Sequence, residues 1–137
     1  MAFGMKIVVH QQHGLVVKRL RAAVEAEGLT VLTTTDVRAA LAESFGISLP
    51  AQTALGICTP ALARAALQAD PSVGLLVPCS VVVRATAART TVVEAPKLHM
   101  IVAITGDHTL KPVVADAAAR LRAAFDRVTA EDSTLTE

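Results

Sequence analysis

The chain reads as an α+β fold, a two-layer arrangement of helices packed on a mostly antiparallel β-sheet, and three observations point there. Strand-like and helix-like segments mix without settling into a repeated strand–helix–strand unit. The apolar run Gly74–Arg84 is followed, after a short turn, by Thr90–Ala95, the spacing of a hairpin. Near the C-terminus, Val114, Ala117, Leu121, Phe125 and Val128 form one helical stripe, opposed by Arg120, Arg122 and Arg127.

Taken in order, Met5–His10 is strand-like and stops at the polar QQHG. Leu15–Glu27 takes helical period, with Val16, Val17, Leu20, Ala23 and Val24 inward, an Arg21–Glu25 surface pair outward, and Gly28 as the stop. Leu29–Thr35 is rich in β-branched residues and predicts a strand. Asp36 caps a helix through Phe45, with Val37, Ala40, Leu41 and Phe45 as its buried face and Gly46 as its end. Gln52–Cys58 is a third strand. Thr59 and Pro60 open a helix through Ala69, with Leu62, Ala66 and Ala69 inward and Asp70-Pro71 ending it. Gly74–Arg84 is the longest strand candidate, and Pro78 within it predicts an edge strand or a bulge. Lys97–Thr105 has strand composition but follows Pro96, a helix-opening residue. The final helix spans about Pro112–Ala130, and EDSTLTE reads as a fraying tail.

At 137 residues the chain fits one domain, residues 1–137, able to bury a core without disulfide or metal. Its 53% hydrophobic content comes from Ala, Val and Leu; Phe3, Phe45 and Phe125 are its aromatic rings apart from histidines. So few stacking platforms, and a formal charge of +1 without a basic stripe, argue against nucleic acid as a partner. No signal-peptide pattern and no apolar run of spanning length are visible, so the expectation is a soluble, cytoplasmic protein with no membrane partner. No phosphate-cradling glycine motif, G-x-S-x-G or H-E-x-x-H occurs, and no cofactor or enzymatic activity is assigned.

The chemistry-bearing residues concentrate between Gly56 and Arg84. Cys58 stands at a strand-to-helix junction, where backbone N–H groups favour a thiolate. Cys79 follows Pro78. If the two strands are neighbours, both thiols face one cleft, with Asp36, Thr59 and Ser80 around it as ligand-binding residues. One reading is therefore a small-ligand-binding or homodimeric module, the dimer formed by the apolar face of the long strand. A second is thiol redox or sulfur transfer by Cys58 and Cys79. A third is a soft-metal site, Cu(I) or zinc, using Cys58, Cys79 and Met100, with His99 and His108 as further candidates. Against these stands the simpler reading of both cysteines as buried small hydrophobes. His10 and His13 read as a solvated turn, and Asp107 beside His108 as a turn or capping residue.

The run LGICTPALARAALQADPSVGLLVPCSVVV resembles the signature of the DUF302 family, and the likeness extends through most of the chain. The resemblance implies a TBP-like α+β fold, frequent dimers and no established catalytic activity. It also implies an acidic residue at the position of Asp36 and retention of both cysteines. Thr59 and Ser80 stand where the family commonly has Asn. An aromatic usual near Gln52 and a Lys usual near Ala42 are absent, and Arg84-Ala85 replaces acidic residues. After the proline the family resembles a short helix with a Met-Leu pair, here Met100-Ile101, which favours helix for Lys97–Thr105.

Overall fold

The caps and stops written in the sequence set the element boundaries of the structure, a computed structural model that describes residues 4–136, with side chains described through Asp132. The strands are β1 (Gly4–Val9), β2 (Thr30–Asp36), β3 (Gln52–Cys58), β4 (Cys79–Ala87) and β5 (Thr90–Pro96). The helices are α1 (His13–Ala26), α2 (Val37–Phe45), α3 (Pro60–Ala69), α4 (Met100–Thr105) and α5 (Lys111–Thr136). Gly28, at φ 79°, lets α1 end with Leu29 N–H bonded to Val24 C=O at 2.9 Å and Gly28 N–H to Glu25 C=O at 3.1 Å. Asp36 accepts from Ala39 N–H at 2.9 Å to start α2, and Thr59 accepts from Leu62 N–H at 3.1 Å to start α3. The Thr59 cap is buried, so Thr59→Ala leaves a donor without water or partner. It is expected to cost about 1–2 kcal/mol by urea midpoint, with Thr59→Ser recovering most of it.

The five strands form one antiparallel sheet in the order β1-β5-β4-β3-β2. Strand alternation sends Val9, Leu55, Ile57, Val81, Val83 and Val93 to one face, where they are fully or almost fully buried under the helices. The whole predicted stripe of α5 is buried there, with Phe125 at 0% exposure as its largest member. The opposite face carries Lys6, Val8, Val82, Val92, Glu94 and Arg84, the last two joined as an ion pair. One solvated face is the usual condition of an antiparallel sheet.

Several expectations are corrected. Gly74–Arg84 is not one strand: Pro71–Leu75 is a 3₁₀ turn and β4 begins only at Cys79, after a cis Val77–Pro78 bond. Asp70 opens that turn by accepting from Ser72 N–H at 2.9 Å. Pro78 therefore sits outside the ladder, and β4 is the middle strand rather than an edge; the irregularity in its pairing lies between Ala85 and Ala87. The SVVV run is ordinary alternation, with Val81 and Val83 in the core and Val82 on the open face. No residue of α2 is buried and Phe45 is 73% exposed, while Ala69 faces out at the end of α3. Arg21 bonds Thr34 rather than Glu25. Lys97–His99 is a turn and α4 starts at Met100.

The final helix runs past Ala130 to Thr136 instead of fraying at Glu131. Two contacts hold its end. Buried Asp132 accepts His10 N–H at 3.1 Å, and Glu131 lies 3.5 Å from Arg19. His10 is exposed, whereas His13 opens α1 and shares a 3.1 Å hydrogen bond with Thr53, so it is partly covered rather than in a solvated turn. No helix among the described residues is long and apolar enough to cross a membrane.

Candidate functional site

Antiparallel pairing brings the start of β4 and the end of β5 to the same end of the sheet, and two linkers meet there. Leu75–Pro78 leads into β4, and Pro96–His99 leads out of β5. Between them lies a cleft of about 200 Å³ lined by Leu76, Pro78, Cys79, Ser80, Leu98 and Met100, among others. Three of the residues singled out in the sequence, Cys79, Ser80 and Met100, thus come together.

The remaining three do not join them. Cys79 stands opposite Ile57, the residue before Cys58, and consecutive strand residues point to opposite faces. Cys58 instead packs at the head of α3, beside the backbone of Thr59 and Ala63, and does not line this cleft. Asp36 is opposite Thr53 while Cys58 is opposite Thr30. Because β2 and β3 are antiparallel, their C-terminal ends lie at opposite ends of the pair, about 17 Å apart along β3. The expected common cleft for Asp36, Cys58 and Cys79 is therefore absent, and Asp36 and Thr59 serve as helix caps.

Both cysteines are free and buried. Burial pushes the Cys79 thiol up to about 11, with a smaller repulsion from Cys58, and the thiol lies 3.7 Å from the Leu76 carbonyl. Burial also raises Cys58. The N–H groups of Thr59 and Ala63 pull it down, as the helix-end argument requires, but burial outweighs them. Each thiol is protonated at neutral pH, which contradicts the expectation of a thiolate at Cys58. Among the described residues no group of three or more His, Cys, Asp or Glu side chains could hold a metal ion. Asp107 is a cap that accepts from Thr109 N–H at 2.9 Å; the bonds from Thr109 hold its carboxyl below its usual range.

Two further clefts share Pro96 with the first. One, about 530 Å³, lies on the open sheet face and is lined by Gln52, Ser80, Val82, Arg84 and Glu94, among others. The other, about 370 Å³, lies between β1, the Pro96–His99 linker and α5, and draws on Met5, Lys97, Leu98, His99 and Arg122. Lys97 and Arg122 carried no signal in the sequence, where Arg122 is ordinary helix surface. They come from segments brought together only by packing of α5 on β1 and the linker.

The architecture defines a class: small α+β domains with helices on one face of a five-stranded antiparallel sheet. The family model for the domain of unknown function DUF302 matches residues 5–128, and the chain belongs to the DUF302 family. It is similar to the crystal structure of an uncharacterized conserved DUF302 protein from Bacillus stearothermophilus. The two share 30% identity at a TM-score of 0.80, over 93% of this chain and 99% of that one. None of the curated proteins matches the chain.

Proposed function

We propose that the chain works as a homodimeric module whose two copies meet through the segment from Leu32 to Pro50. The observation that carries this is burial. Over those nineteen residues no side chain is buried, although Leu32, Phe45 and Ile47 are 56%, 73% and 45% exposed. The segment contains most of the edge strand β2, all of α2 and the loop into β3. A helix of nine residues is marginal alone in water and draws its stability from a covered apolar face. Here Val37 and Leu41 are only partly covered by β2 and β3, and no residue of α2 is buried among the described residues. β2 (TVLTTTD) also lacks the lysine or proline that usually blunts an exposed edge. A standard interface takes roughly 20–30 residues a side, close to what this segment offers, and a two-fold contact uses the same patch on both partners.

Light scattering tests the reading. At roughly 50 μM, where a dimer with Kd near 1 μM is largely formed, the wild type is expected at twice the 14.2 kDa chain mass. Phe45→Ser is expected at the monomer mass with unchanged circular dichroism. A wild type that stays monomeric at that concentration overturns the proposal.

The thiol-redox, sulfur-transfer and soft-metal readings lack the paired site they need. Cys58 and Cys79 are free thiols that are not in register with each other, and burial keeps both protonated.

A further inference from the structure

We infer that the cleft between β1, the Pro96–His99 linker and α5 is a binding site for a small amphipathic anion, an apolar body carrying a carboxylate or a phosphate monoester. The floor is apolar. Leu98 and Leu121 are 6% and 3% exposed, and Ala115, Ala118 and Ala119 share the α5 face that borders the cleft. Small side chains at those three positions leave the space open; its volume, about 370 Å³, falls within the range of small-molecule sites.

The charged part of the lining has one sign: Lys97 and Arg122 border the cleft together with His99, and no Asp or Glu does. None of these three side chains makes an ion pair or hydrogen bond among the described residues, with Arg122 the odd one out among its neighbours on α5. Arg120 is paired with Asp116 at 2.9 Å and Arg127 with Glu27 at 2.6 Å. Basic side chains left unpaired around an apolar floor match a ligand whose head is anionic and whose body is not. A guanidinium also offers the paired donors that carboxylate and phosphate oxygens accept.

The test is calorimetric titration of the full chain at low salt with octanoate, octyl phosphate, octylammonium and 1-octanol, four heads on one tail. Octanoate or octyl phosphate is expected to bind about tenfold or more tightly than 1-octanol, and octylammonium more weakly still. Whichever anion binds more tightly assigns the head group. Arg122→Gln and Lys97→Gln are each expected to weaken the anion about fivefold while leaving 1-octanol unchanged. Ala119→Leu, an exposed helix position that accepts Leu readily, should fill the cleft and abolish binding of every probe. Equal affinity for octanoate, octyl phosphate and 1-octanol overturns the proposal. So does anion affinity indifferent to both charge removals, or no binding of any probe below about 10 mM. The cleft borders β1, the sheet edge opposite β2, so Phe45→Ser should keep the affinity. The site therefore stands or falls independently of the dimer.

Discussion

Phe125→Ala is expected to destabilise the chain by about 3–5 kcal/mol, the largest effect of any single core truncation here. The reason is composition. Aromatic side chains make up 2% of the sequence, and of the two whose surroundings are described, Phe45 is 73% exposed. Phe125, at 0% exposure, is the largest fully buried side chain, in a core otherwise built from Leu, Ile, Val, Ala and the two cysteines. Small branched neighbours have no long side chain that could swing into the space a ring leaves behind, so the cavity term stays high. Such a loss is a large fraction of a typical total of about 5–15 kcal/mol. The measurement is the urea midpoint of Phe125→Ala against Phe125→Leu, which keeps most of the volume and is expected to lose less than half as much. Equal losses, or a loss below about 1 kcal/mol for the alanine variant, would show that the core is organised around some other residue.

The second large effect concerns the thiols. Cys79 is raised from an ordinary value of 9.0 to about 11 in the folded chain. At pH 8 the thiolate fraction at Cys79 is then about a hundredfold smaller than in the unfolded chain. Iodoacetamide at that pH should therefore label the urea-unfolded protein at least about a hundredfold faster, and burial slows the folded reaction further. The same shift links stability to pH. The folded state holds the proton more tightly than the unfolded one, so below pH 9 both states are protonated and stability is at its full value. As pH rises from about 9 towards 11 the unfolded thiol ionises first and stability falls, by on the order of 2 kcal/mol. Cys79→Ala should flatten most of that alkaline slope. Rapid labelling of Cys79 in the folded state at pH 8, or an alkaline slope that the substitution leaves intact, contradicts this picture of the site.

How much of this is legible in the sequence depends on whether the signal is local. Gly28, Asp36, Thr59-Pro60 and Gly46 act through backbone conformation or a cap within a few residues, and each ends or starts an element where its chemistry places it. The α5 stripe follows from periodicity alone. The run GLLVPCSVVV misleads because an unbroken apolar string has no period: Gly74 and Leu75 end a 3₁₀ turn, and only the part from Cys79 enters the sheet. Phe45, 73% exposed, departs from its helical pattern for a different reason. Helical period shows that a residue shares a face with Val37 and Leu41, but not that the chain supplies anything to cover that face.

The candidate site shows the same division. Cys58 and Asp36 both end strands, and placing them together assumes parallel neighbours; the antiparallel β2–β3 pair separates them. The Pro96 corner gathers residues from β1, the turn before β4, the β5–α4 linker and α5, which no spacing rule connects. Met100 and Cys79 do share a cleft there, but only because α4 begins beside the start of β4.

A second copy of the chain covering the segment from Leu32 to Pro50 is read directly by amide hydrogen exchange at two concentrations. Raising the protein from about 1 μM to about 100 μM, across the expected dimer Kd, should slow exchange within 32–50 and leave β4 and α5 unchanged. Exchange in that segment that is fast and identical at both concentrations would contradict the dimer.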